Sequence, residues 1–102
     1  MEKIYRYFGL AKRGGNLVSG YNTCISKIND KKIQLLVIAS DAANNTQKKF
    51  IGLAEKEGIP YRVWGNKMNL GHAIGIMEAS ILGVTDEKFS EVMICELDSV
   101  KL

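Results

Sequence analysis

The sequence predicts an α/β fold: a single-domain, three-layer α-β-α sandwich around a central, mostly four-stranded mixed sheet. Three observations carry this. Apolar spacing alternates along the chain between a helical period and short runs rich in β-branched residues, no segment repeats or loses complexity, and 102 residues suffice for one core. At 11.3 kDa, the folded and extended surfaces scale to about 5,700 and 16,400 Å², so about 65% is buried on folding.

Taken in order, Ile4, Tyr7, Phe8 and Ala11 fall on one helical stripe that Gly14-Gly15 ends, predicting a helix over about residues 2–13. Asn16 to Ser19 is a short extended link, its first three residues a candidate edge strand. Tyr21, Cys24, Ile25 and Ile28 restore the helical period from Gly20 to about Asn29. Ile33 to Ala39 is nearly continuous and apolar, as a strand covered on both faces requires. Ser40-Asp41 then offers a cap for a helix running to about Glu57, with Phe50, Leu53 and Ala54 inward and Gly58 as its stop. Ile59 to Trp64 reads as a strand, with Pro60 near its start, where a missing N–H is tolerated. Gly65-Asn66 is a turn. A short helix over about 67–75, a strand over about 79–84 and a last helix from Thr85-Asp86, with Phe89, Val92, Met93 and Leu97 inward, complete the chain.

Composition excludes several classes. Hydrophobic residues at 46% and charged residues at 25% match a globular domain rather than a disordered chain or a coiled coil. No apolar run reaches membrane-spanning length and no signal core follows Met1, so a cytoplasmic protein without a membrane partner is expected. Cys24 and Cys95 lack any partner spacing and His72 stands alone, so no metal, disulfide or cofactor is expected. Gly15-Asn16-Leu17-Val18-Ser19-Gly20 has the glycine frame of a phosphate loop, but Tyr21-Asn22 follows where Lys then Ser/Thr is needed. Glu55/Glu57 and Asp86/Glu87 read as solvated faces, and nothing marks a nucleophile elbow, so catalysis is not expected.

What remains is a polyanion surface. Residues 1–51 carry nine Lys and Arg against three acids, a balance of +6, while the other half balances to −3. Gly20 opens a helix whose N–H groups and dipole favour an anion, and lets one approach closely. Tyr21, Asn22 and Thr23 follow in its first turn, where Asn22 and Thr23 serve either as ordinary cap and solvated groups or as readers of base edges. Lys12, Arg13 and Lys27 flank that end in sequence and are candidates to neutralise phosphates. Trp64 is either a core residue or a platform for an unstacked base.

The chain resembles a known family. Gly9-Leu10-Ala11-Lys12-Arg13, Leu17-Val18-Ser19-Gly20, Leu35 to Ala42, Asn45-Thr46-Gln47-Lys48-Lys49, Ile59-Pro60-Tyr61 and Leu70-Gly71-His72-Ala73-Ile74-Gly75 are similar, in order and spacing, to the ribosomal-type RNA-binding proteins of the L-seven-Ae and L-thirty-e superfamily, in particular its bacterial YlxQ-like branch. The resemblance spans about residues 4–98 and implies a protein that binds structured RNA, typically a kink-turn with tandem G·A pairs. It implies readout by the start of the second helix, where Gly20 and Asn22 match the family's Gly and Asn. Thr23 stands in place of the family's acidic residue and Ser26 in place of its lysine, with Lys27 one position later. Val63-Trp64-Gly65-Asn66-Lys67 matches a loop that covers an extruded nucleotide in the family. The expected partner is structured RNA, a kink-turn or a ribosomal RNA element, with association with the ribosome also considered; DNA is not expected. Two alternatives stand beside this reading: a protein-interaction module using the acidic last helix, and a small-molecule enzyme with a pocket beside Ser40-Asp41.

Overall fold

The computed structural model describes residues 3–99. The chain runs α1 (Lys3–Arg13), β1 (Leu17–Ser19), α2 (Tyr21–Asn29), β2 (Leu35–Ile38), α3 (Asn44–Glu57), β3 (Tyr61–Val63), α4 (Lys67–Ala73), β4 (Ile81–Val84) and α5 (Glu87–Ser99). The predicted start of the first helix at Glu2 lies outside the described residues. The accessible surface is 5936 Å², close to the value expected from mass.

The four strands form one sheet in the order β1-β4-β2-β3. β2 and β3 are parallel, joined by the crossover helix α3, whereas β4 runs antiparallel to both β1 and β2. All four residues of β2 and of β4 are buried, because these central strands are covered on both faces. The three-residue strands β1 and β3 take the edges and are only partly buried. α1 packs against α4 and α5 in one layer. α2 and α3 form the other, joined where the Tyr21 ring meets the edge of Phe50 at 5.1 Å. Phe8, Phe50, Leu36, Leu70 and Met93 fill the core on the two sides.

Two inward assignments change. Val92 is 43% exposed, because Phe89, Met93 and Leu97 at four-residue spacing already make the inner stripe of α5 and a neighbour one step back points 100° away. Ser90 takes a buried position there, its hydroxyl donating to the Glu87 carbonyl at 2.8 Å. Leu53 is half-buried rather than enclosed, while Phe50 and Ala54 are fully inside.

The start of the third helix also differs. Ser40-Asp41 does not cap it; α3 begins at Asn44 behind Ala43, with no side-chain cap. The two polar side chains are engaged elsewhere. Ser40 Oγ donates to the Gly65 carbonyl at 2.6 Å, and Asp41 Oδ1 accepts the Lys67 N–H at 2.8 Å. Gln47 reaches back from α3 instead, its Nε2 donating to the carbonyls of Ser40 at 3.1 Å and Ala42 at 2.9 Å. The long apolar run is strand only over β2, although Ile33 and Ala39 at its ends are buried as well.

Candidate nucleic-acid interface

Register decides which residues meet. Ser19 pairs with Leu82, Ile38 with Ile81 and Ile38 with Val63, so the end of β1, the start of β4 and the ends of β2 and β3 share one end of the sheet. Backbone hydrogen bonds tie the connecting segments there: Gly20 N–H to Ile81 O at 3.2 Å, Ala39 N–H to Ser80 O at 2.8 Å, Ser40 N–H to Gly65 O at 2.8 Å and Ala79 N–H to Lys67 O at 3.0 Å. The α2 start, the 40–42 turn, the 64–67 segment and the 75–80 loop thus form one continuous edge.

At this edge Gly20 has φ 98° and ψ 154°, and a Cβ built there would meet nothing within 4 Å. Only glycine adopts that backbone without strain, and the space before it is open. No side chain caps α2, so its first-turn N–H groups face outward unclaimed. Tyr21, Asn22 and Thr23 are exposed, and among the described residues the Asn22 and Thr23 side chains have no hydrogen-bond partner. Asn22 therefore acts as neither cap nor brace. Ser26, exposed, lies one turn further along the Asn22 face, and half-buried Lys27 lies a step around from it. Beneath this turn Cys24 is enclosed, and burial pushes its thiol up to about 12 from the ordinary 9.0, leaving it protonated and unreactive.

The second predicted stretch splits by role. Trp64 is half-buried, its ring 5.2 Å from Tyr5 and 6.4 Å from Phe8, so one side of it leans on the core of the α1 layer. Asn66 caps α4, its Oδ1 accepting the Asn69 N–H at 2.8 Å. Gly65 and Lys67 are half-buried, with their backbone groups bound to Ser40 and Asp41. This segment is held firmly in place, with Lys67 as its cation.

Lys12 and Arg13 are not at this edge. They end α1 at the opposite end of the sheet, where Asn16 leads into β1 and its carbonyl accepts the Thr85 N–H at 2.9 Å. Adjacency in sequence to Gly20 is undone by the intervening strand.

Sequence reasoning missed an apolar group at the same edge. In the loop after α4, Met77 is 84% and Ile76 41% exposed. The loop is pinned beneath them: Ile76 N–H donates to Gly71 O at 2.9 Å, and the Glu78 backbone lies so close that a Cβ on Gly71 would meet its Cα at 2.6 Å. The only signal in the sequence was negative, a short apolar-bearing stretch with neither helical nor strand period. Among the described residues there is no group of three metal-ligating side chains. The edge thus offers open N–H donors, an unpaired amide and hydroxyl, and exposed apolar side chains on a braced loop.

The family model described as the ribosomal protein L7Ae/L30e/S12e/Gadd45 family matches residues 2–94. The chain is 32% identical over 90 residues to the RNA-binding protein YlxQ of Bacillus subtilis, covering 88% of this chain and 90% of that one. It is 35% identical over 78 residues to the large ribosomal subunit protein eL8 of Schizosaccharomyces pombe, covering 76% of this chain but 30% of that longer protein. A solved structure of a Bacillus halodurans protein of unknown function superposes with a TM-score of 0.94 at 31% identity, covering 97% of this chain and all of that one. The chain belongs to the ribosomal protein L7Ae/L30e/S12e/Gadd45 family.

Proposed function

We propose that the protein binds structured RNA in the cytoplasm, without catalysis, and that the RNA is a kink-turn or a related ribosomal RNA element. The observation that carries this is the open first turn of α2: Gly20 with empty space before it, uncapped N–H groups, and Asn22 and Thr23 free to bond outward. Two relatives named RNA-binding protein YlxQ, from Bacillus subtilis and Enterococcus faecium, support the class of partner. In this reading a phosphate lies against the start of α2, Asn22 and Thr23 hydrogen-bond base edges, and Ile76 and Met77 cover an unstacked base, with Trp64 as the wall behind. Lys27 and Lys67 neutralise phosphates on either side. Thr23, which carries one hydroxyl rather than a carboxylate, leaves Asn22 as the main reader.

The test is a titration with a kink-turn RNA and with the same RNA carrying Watson–Crick pairs in place of its G·A pairs. Tight binding to the first only, weakened about 5–150-fold by Asn22→Ala, is the expected result, the range being that of one good base contact of roughly 1–3 kcal/mol. Equal binding to both RNAs, indifferent to Asn22→Ala, overturns the proposed readout.

A further inference from the structure

Adjoining the sheet-end edge, α1, α4 and Gly75 at the start of the following loop enclose an open groove of about 570 Å³, lined among others by Arg6, Leu10, Lys12, Arg13 and His72. Its charged lining is of one sign: Arg6, Lys12 and Arg13 contribute and no acid does. Among the described residues these three cations make no ion pair, although Lys3, Lys31 and Arg62 each hold a carboxylate. Arg6 and Arg13 stand seven positions apart, two helical turns or about 10 Å, on one face of α1. Leu10 lies on that face between them and is 47% exposed. A guanidinium, an apolar seat and a second guanidinium therefore follow one another along the groove.

Its position links it to the proposed interface. Tyr5 lines the groove, and its ring packs at 5.2 Å against Trp64, which belongs to the edge. The geometry points to a second RNA contact: the α1–α4 groove takes a single-stranded segment that continues from the structured RNA held at the α2 edge. Arg6 and Arg13 bind successive phosphates, whose oxygens match the guanidinium fork, and a base rests on Leu10. A groove of this volume does not admit a duplex, so an RNA seated in it is single-stranded. This inference rests on the proposed RNA-binding function.

The experiment compares one kink-turn RNA with and without a short single-stranded pyrimidine tail, titrated over a range of salt, using the full chain and Arg6→Gln/Arg13→Gln. Both arginines lie on the surface of α1, and circular dichroism of the variant checks that it folds. With two added phosphate contacts, the tail steepens the log–log salt slope by about 1.4 units, at roughly 0.7 per single-strand phosphate. The double variant is expected to lose that increment and to bind the tailless RNA as the parent does. A tail that adds nothing, while G·A-dependent binding persists, overturns the groove inference and leaves the function standing. A variant that weakens both RNAs equally overturns it as well, since the arginines then act on the main site. If neither RNA binds, the functional reading fails and takes the groove with it. Binding of a synthetic Glu- and Leu-rich helical peptide by the parent but not the variant, with no effect of the tail, assigns the groove to a protein partner and overturns the RNA reading of it.

Discussion

Gly20 and Asn22 owe their availability to what the first turn of α2 lacks, a side-chain cap, and the contrast with Asn66 shows the difference. Both asparagines open a helix in the sequence, but Asn66 spends its carbonyl oxygen on Asn69, whereas Asn22 spends nothing. Spacing alone did not separate the two, because capping depends on where the helix begins: Asn66 is the cap residue of α4, whereas Asn22 lies two residues past Gly20, the cap position of α2. Met77 was unreadable for another reason: an exposed methionine and a core methionine look alike in sequence, and only the loop pinned on Gly71 puts this one outside. Both cysteines read as packed thiols in the sequence; Cys24 is buried on its helical stripe, whereas Cys95 is exposed on α5, and the buried one makes a pH prediction. The folded thiol titrates near 12 and an unfolded one near 9.0, so above pH ~9 the unfolded chain holds fewer protons and folding stability falls as pH rises. The limiting slope is about 1.4 kcal/mol per pH unit. Urea unfolding at about pH 8 and about pH 10, in the parent and in Cys24→Ala, is expected to show a larger loss in the parent; an equal loss in both assigns the fall to other groups.

The elements themselves were mostly legible, since each carries its own period: α1, α2, β2 and α5 emerge within a few residues of the predicted bounds. The ends were less so. Ser40-Asp41 has the chemistry of a cap and lies just before a helical period, yet it holds the entry to α4 across the sheet edge instead. A polar pair can satisfy a distant backbone as readily as the next one, and sequence does not reveal which donor comes near. This gives an element-level prediction. Asp41→Ala is expected to cost about 1 kcal/mol, the net worth of one hydrogen bond, and to lower the melting temperature by roughly 4–8 °C for a domain of this size. Amide exchange identifies the element affected: Lys67 and Asn69 lose protection while the first turn of α3 does not change. The opposite pattern would mean that Asp41 caps α3 after all.

On the scale of the whole molecule, the alternation of periods disclosed the layers, and the charge imbalance disclosed that cations gather in the first half of the chain. It did not disclose that β1, only three residues long, carries the chain from one end of the sheet to the other and so separates Lys12 and Arg13 from Gly20. Proximity in sequence suggested one cationic site; topology makes two. An RNA confined to the α2 edge meets Lys27 and Lys67, and two neutralised phosphates give a salt slope near −1.8, so a fourfold rise in salt weakens binding by about 12-fold. Had all the basic residues met at one site, three or four phosphates would be neutralised and the loss would be about 40–150-fold. Titration of a tailless RNA at two salt concentrations separates the two cases. The same brevity has another effect. Both outermost strands of the sheet, β1 and β3, offer only three residues of free ladder, and the middle residue of β3, Arg62, is clasped by Asp98 of α5 through two bonds of 2.7 and 3.0 Å. An incoming strand from a second chain finds too short a template at either border and a charged side chain astride one of them. The sheet is thereby protected against growing sideways into an aggregate.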